Sequence, residues 1–323
     1  MNKILKSLGV AVLTAAAVSF PAFADTCTEG NTGLSISPVT KVLNIEGGKS
    51  YDTDVFTVKN ISSEEASFRV YAAPYSASDE NYNMSFSNET KYTQISRWIS
   101  FKDKAGNYVN EATFTVPGCT EETISYKIDT PYSIPNGGQY AVIFAEGINN
   151  SNGGGIKAVS RVGLVIYGRA TGETINTAEI SGLTISKNAD ESLNSKDGKK
   201  ITNAVIHASA VVKNTGNVDI NTRTTVTVKN IFGGELYKNT ANTSVLPDST
   251  RKIVDVWEET PYFGLFWVSY SVNAANASEE ITQLVLMLPL PILVVILVLV
   301  AVVIFWIIVM VKKRRERKSR YMV

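Results

Sequence analysis

Asp54-Val-Phe-Thr-Val-Lys59 alternates strictly, with Asp54, Phe56 and Val58 on one side and Val55, Thr57 and Lys59 on the other. Successive side chains of a strand point to opposite faces, and β-branched residues suit a pleated surface, so this stretch predicts a half-buried strand. Upstream, Leu34-Ser-Ile-Ser-Pro38 and Lys41-Val-Leu-Asn-Ile45 read as short strands, and Glu46-Gly-Gly-Lys49 reads as the turn between them and the alternating stretch. Downstream, Asn60-Ile-Ser-Ser-Glu-Glu65 turns the chain, and Phe68 and Val70 resume the alternation. Ile124, Tyr126 and Ile128 repeat it. Pro135-Asn-Gly-Gly138 is a turn signal before Gln139-Tyr-Ala-Val-Ile-Phe-Ala145, a buried strand. Residues 149–155 make another Gly/Asn/Ser turn before a strand over 159–167. Short strands punctuated by turns, without a helical period, predict a β-sandwich over residues 25–170. Within it, residues 81–91 are polar and predict a surface excursion. Trp98, flanked by Ile95 and Phe101, reads as a core anchor rather than an exposed ligand contact.

The pattern returns in residues 171–283. Strands are expected at 184–186, 201–213, 224–229, 254–256 and 266–272, with a polar loop at 188–200 and a hairpin turn at Ile231-Phe-Gly-Gly-Glu235. Val58-Lys-Asn60 and Val212-Lys-Asn214 both end a strand at a polar turn, a weak internal echo that fits two sandwiches of like architecture.

The two ends of the chain differ from this middle. Residues 284–311 form a run of 28 without a charge. A bilayer core needs about 20 apolar residues as a helix, so the run predicts a transmembrane span. Lys312, Lys313, Arg314, Arg315, Arg317, Lys318 and Arg320 follow at once. Basic flanks stay on the cytoplasmic side, so the tail of residues 312–323 is expected inside, as a topology signal too short to fold. At the other end, Lys3 and Lys6 precede an apolar stretch and Ala22-Phe-Ala24, which predicts a secretory signal over residues 1–24. The expected product is a single-pass cell-membrane protein, its all-β ectodomain outside. That ectodomain carries 22 basic and 29 acidic residues. A net negative surface argues against nucleic acid as a partner. Cys27 and Cys119 are the only cysteines, both on the expected outer side. Such a pair most simply forms one disulfide, the alternative being two unpaired thiols.

The search for chemistry points away from catalysis. His207 is the only histidine and sits inside a predicted strand. No nucleophile elbow, phosphate-binding loop, dinucleotide fingerprint or HExxH occurs. Gly153-Gly-Gly155 lacks a following lysine and helix, and Glu64-Glu65 and Glu258-Glu259 read as solvated charge. Two thiols without neighbouring histidines do not make a zinc site. The expectation is a protein that is not an enzyme and has no cofactor or metal.

Ile36-Ser-Pro38, Gly47-Gly-Lys49, Phe56-Thr-Val-Lys-Asn60, Phe68-Arg-Val70 and Pro135-Asn-Gly-Gly-Gln-Tyr-Ala-Val-Ile-Phe144 are similar to the opening sandwich of Gram-positive WxL-interacting surface proteins. The layout of signal, two Ig-like sandwiches, one span and a basic tail resembles that family over nearly the whole chain. The resemblance implies a first sandwich directed at peptidoglycan and a second directed at host ligands. The same pieces resemble pilus-chaperone-like sandwiches more widely. These motifs are structural, so no ligand residue carries over. The expected function is a cell-surface binding or adhesion protein for cell wall or envelope proteins. The alternatives are a membrane-tethered chaperone for surface proteins, which would offer a sheet edge to a client strand, and, further off, an ectoenzyme.

Overall fold

The computed structural model describes residues 33–148, 160–186, 195–196, 199–200, 205–258, 260–261, 263–288 and 290–320. The expected signal segment and Cys27 lie outside the described residues. The first part runs β1 (Leu34–Ser37), β2 (Thr40–Ile45), β3 (Ser50–Asn60), β4 (Ala66–Pro74), β5 (Ser76–Ala77) and β6 (Met84–Ser85). A 3-10 turn at Gln94–Arg97 leads to β7 (Ile99–Lys102), β8 (Tyr108–Val109), β9 (Glu111–Val116), β10 (Glu121–Asp129), β11 (Gly137–Gly147) and β12 (Arg161–Ala170). The second part runs β13 (Ala178–Ser186), β14 (Ser195–Lys196), β15 (Lys199–Lys200), β16 (Ile206–Asn214), β17 (Ile220–Asn230), β18 (Glu235–Val245), β19 (Thr250–Trp257), β20 (Gly264–Ala274) and β21 (Ala277–Met287). The helix α1 (Leu290–Arg320) ends it.

Two sheets face each other in each part. In the first, the order β1-β3-β10-β7-β8 opposes β2-β12-β11-β4-β9. The alternation of the opening stretch explains why: Phe56 and Val58 are fully buried while Val55 faces out. Phe68, Val70, Ile124, Tyr126 and Ile128 complete the same core, and Trp98 packs against it as expected. Ser37-Pro38 separates β1, antiparallel to β3, from β2, which crosses to the other sheet and runs parallel to β12. β11 is buried on both faces because residues 75–98 fold back over its outer side, where Tyr75 and Phe86 cover Val142 and Phe144.

In the second part, β13-β16-β19 opposes β18-β17-β20-β21 around a separate core with Val228, Val268 and Tyr270 at its centre. Element by element this repeats the first: β13, β16 and β19 pair as β1, β3 and β10 do, and β18-β17-β20-β21 pair as β9-β4-β11-β12 do. The expected all-β architecture of two Ig-like sandwiches and one C-terminal helix is the architecture found.

Boundaries differ in several places. The apolar run expected as a span from Leu284 is divided: residues 284–287 are the last turnless residues of β21, paired with β20 from Gly264↔Met287 to Trp267↔Leu284, and the helix starts at Leu290. Val285 and Met287 fill the core of the second sandwich, so the sandwich extends past 283. Apolar composition alone does not separate the end of a buried strand from the start of a span. The helix also continues through Lys312 and Arg314 to Arg320, where a tail too short to fold was expected. Lysine, arginine and glutamate are good helix formers, and extending an existing helix avoids the cost of nucleation. Among the described residues, Pro291–Arg314 is the one segment long and apolar enough to cross a membrane. β18 was missed because an edge strand exposed on most of its length shows no apolar alternation.

Candidate functional site

The chain direction of each strand sorts the molecule into ends. β11 starts at Gly137, beside the second sandwich, and finishes at Gly147 on the far side. β17 starts beside the first sandwich and finishes at Asn230, level with Gly264 and Met287, next to the helix. Strands of this length run about 35 Å. The second sandwich therefore separates the first from the helix.

The joint between the sandwiches is polar and closely fitted. Asp219 N–H donates to the Tyr140 hydroxyl at 2.7 Å, and that hydroxyl donates to Asp219 Oδ1 at 3.0 Å. Leu246 N–H donates to the Tyr82 hydroxyl at 2.9 Å, and Lys252 N–H donates to the Glu80 carbonyl at 2.7 Å. The Arg251 guanidinium lies over the Tyr82 ring, 4.1 Å from its centre. Gly138 N–H reaches the Asn217 carbonyl at 2.7 Å. A side chain at Gly137 (φ 99°) would meet that carbonyl at 2.1 Å, so only glycine allows this approach. Asn217 also clamps the linker, donating to the Glu173 carbonyl and accepting from Ile175 N–H. Tyr92, Tyr140 and Leu246 form a small apolar cluster there, with Tyr75, Tyr82 and Tyr167 around it. Burial raises the hydroxyls of Tyr140 and Tyr167 above the ordinary tyrosine range and pushes Tyr82 up to about 12. These phenols stay neutral and serve as hydrogen-bonding groups.

The far end of the first sandwich carries a mixed charged and aromatic patch on the outer face of β4, β11 and β12. The Tyr71 hydroxyl donates to Glu146 Oε2 at 2.5 Å, and Arg69 donates to Glu146 Oε1 at 3.2 Å. Arg69 also lies 3.6 Å from Glu111 and 4.9 Å from the centre of the Tyr71 ring. Arg161, opposite Glu146 across the strands, covers Phe144 at 4.4 Å and Phe86 at 5.6 Å. The Tyr71 hydrogen bond, then Arg69, hold the Glu146 carboxyl below its usual range, and burial raises the Tyr71 hydroxyl. Two guanidiniums and two carboxylates balance, so the patch suits a ligand with polar groups and apolar faces rather than a strong polyanion.

Cys119 sits at this same far end, in the turn between β9 and β10, and is disulfide-bonded. Its expected partner, Cys27, lies outside the described residues. His207 is buried in β16 opposite Val256, burial lowers its pKa, and its Nε2 has no hydrogen-bond partner among the described residues. Among the described residues no group of three or more His, Cys, Asp or Glu could hold a metal. The basic residues from Lys312 onward lie along the last turns of α1, where positive charge complements the helix C-terminus. Sequence reasoning missed the joint, because Tyr82 and Leu246 stand 164 residues apart and Tyr140 and Asp219 stand 79 apart. The polar excursion at 81–91 was the one signal available.

No family model and no curated protein matches the sequence. Among solved structures, the chain is similar to a chain of the chaperone–tip adhesin complex of CFA/I fimbriae at 15% identity, covering 80% of this chain and 100% of that one with a TM-score of 0.37. It is similar to the class 5 fimbriae chaperone CfaA at 14% identity, 80% and 100% coverage and a TM-score of 0.37. A chain of the CsuC–CsuE chaperone–tip adhesion subunit complex of Acinetobacter baumannii follows at 9% identity, 78% and 98% coverage and a TM-score of 0.36.

Proposed function

We propose that this chain is a bilayer-anchored surface protein whose first sandwich binds an envelope component, either a wall polymer or another surface protein, without catalysing a reaction. The supporting observation is the order of parts: helix, second sandwich, clamped joint, then the first sandwich with the Arg69–Tyr71–Glu146–Arg161 patch at its outermost end. A clamped joint suits a rigid spacer that holds a binding face about two strand lengths, roughly 70 Å, from the lipid. The layout's resemblance to WxL-interacting surface proteins supports a wall-associated ligand. In this reading the helix crosses the membrane with its basic end inside. A shallow surface of this kind gives modest affinity that repeated display on one membrane strengthens.

The test applies the full chain, in detergent, to isolated cell wall and to membrane extract. Retention on one of them that is lost in the Arg69→Ala/Arg161→Ala variant, with folding intact, supports the reading. Equal retention of both proteins removes the patch from it.

A second reading rests on an edge. β2 pairs only with residues 165–170 of β12, and β1 runs beside residues 161–164 without a ladder to them, so these residues have no paired strand on that side among the described residues. Val162 and Leu164 nevertheless pack into the core. A client strand that takes the place of β1 there would make this a tethered chaperone. A strand-forming peptide that protects the amides of residues 161–164 from exchange would favour it.

A further inference from the structure

The outer face of the sheet β18-β17-β20-β21 changes character along its length. Phe266, Val268, Val285 and Met287 are buried in the core, so the alternate residues of β20 and β21 face out. Away from the helix these outward pairs are polar: Asn273 opposite Ser278, Ser271 opposite Glu280, and Ser269 opposite Thr282 with their hydroxyls 2.8 Å apart. The last two outward rows are Trp267 opposite Leu284 and Leu265 opposite Leu286, all apolar and exposed. At the same end Phe232, in the turn between β17 and β18, is 90% exposed, and Phe263, just before β20, is 63% exposed. These side chains fill no core, so folding does not account for them. Single exposed apolar residues are ordinary, but a contiguous apolar rim bounded sharply by a polar face marks a contact surface.

The chain itself says what lies against that rim. Met287 closes β21, and the helix begins at Leu290. Three residues reach at most about 11 Å, so the last row of the sheet lies within that distance of the first helical residue. The two apolar rows lie two residues apart, about 7 Å along the strands, close to the depth of one headgroup layer. Tryptophan and phenylalanine favour that layer, where an aromatic ring meets both water and acyl chain. Lys229, exposed and directly opposite Trp267, stands where a lysine meets lipid phosphate.

We propose that the helix-proximal end of the second sandwich is seated in the headgroup layer of the bilayer that α1 crosses, through Phe232, Phe263, Trp267, Leu284 and Leu286. The occupant of this rim is phospholipid. The seat adds a second, interfacial attachment beside the helix and fixes the tilt of both sandwiches, since the joint transmits it. The proposal rests on the reading of α1 as a span.

The experiment uses the full chain in phosphatidylcholine–phosphatidylglycerol vesicles carrying lipids brominated at shallow or deep acyl positions. Bromine quenches tryptophan on contact. Phe232→Trp and Tyr132→Trp, the latter at an exposed position on the first sandwich, are each placed in a Trp267→Phe/Trp306→Phe background, whose own quenching is subtracted. Shallow bromines are expected to quench Phe232→Trp several-fold more than Tyr132→Trp. Equal quenching of the two overturns the seat. Cross-linking between copies at position 232 without lipid quenching also overturns it, in favour of self-association. In a chain carrying only Trp267→Phe, Trp306 reports the span separately. Its quenching by deep bromines establishes the anchor whatever the rim does, and its absence removes anchor and seat together.

Discussion

Two asparagines do the same work in the two sandwiches. Asn60 ends β3 and Asn214 ends β16, and both are buried. The Asn60 amide donates to the Glu64 and Val116 carbonyls at 2.7 and 3.1 Å, and its Oδ1 accepts from Ser62 N–H at 3.0 Å. The Asn214 amide donates to Val218 and Val245 at 2.8 and 2.9 Å, and its Oδ1 accepts from Gly216 N–H at 2.9 Å. Each asparagine N–H bonds the carbonyl of the opposing turn that crosses from one sheet to the other, Thr120 or Ser249, and the residue before that carbonyl, Cys119 or Asp248, has a positive φ. Asparagine supplies donor and acceptor together, which no apolar residue of its size does. Asn60→Ala and Asn214→Ala should each cost roughly 3 kcal/mol, since two or more buried backbone groups lose their partners. Denaturant unfolding of the full chain in detergent checks this, and a change below about 0.5 kcal/mol would refute the clamp. The single histidine gives a pH effect. Burial lowers the pKa of His207, so the unfolded chain takes up a proton that the folded chain resists. Stability is complete above the unfolded pKa of about 6.5 and falls as pH drops below it. Glu146, also lowered, contributes only further down, as pH falls through the carboxylate range. His207→Gln should therefore flatten the fall between about pH 7.5 and 5.5.

At the scale of elements, the excursion carrying β5 and β6 is the latch of the joint. Its chain returns on itself through Ser78 N–H to the Asn83 carbonyl at 2.8 Å, which presents Glu80 and Tyr82 to the second sandwich. Tyr82→Phe leaves the Leu246 N–H unpaired and should cost about 1–3 kcal/mol. Hydrogen exchange should then lose protection at Leu246 ahead of the sandwich cores. Unchanged protection there would mean that the excursion covers the second sandwich without latching it. The turn holding Cys119 makes a second element-level prediction. Mass spectrometry of unreduced protein should find one linked peptide pair joining Cys27 to Cys119. Cys119→Ser should cost about 2–4 kcal/mol through the freedom regained by the unfolded chain.

Over the whole molecule, the proposed topology holds both sandwiches outside and the basic end of α1 inside. Protease added to wall-free cells should digest epitopes in both sandwiches and spare a tag placed after Val323. A protected first sandwich would reverse the orientation and with it the proposed contact with the envelope. The joint adds an expectation of its own. Because several hydrogen bonds cross it, the sandwiches should move as one body, and a distance measured between labels at Val55 and Thr240 should stay narrowly distributed in vesicles.

Alternation along single strands was legible in the chain itself: Phe56 and Val58, Ile124 to Ile128, and residues 139–145 all read correctly, because burial of every second side chain is a local pattern. The turns at residues 46–49 and 231–235 were legible too, since glycine and asparagine act on their own backbone. The uncharged run near the C-terminus announced a helix able to cross a membrane, by length and composition alone. Tertiary structure decided the rest. It split that run between β21 and α1, because pairing with β20 and packing of Val285 and Met287 outweigh a composition that suits strand and span alike. It made strands of polar stretches such as β18, whose order comes from its neighbour β17 rather than from its own residues. It joined Tyr140 to Asp219 and Tyr82 to Leu246 across long separations that no local pattern encodes. It also gathered Phe232, Trp267 and Leu284 into one rim, since strand register alone brings residues from three segments to the same end of a sheet.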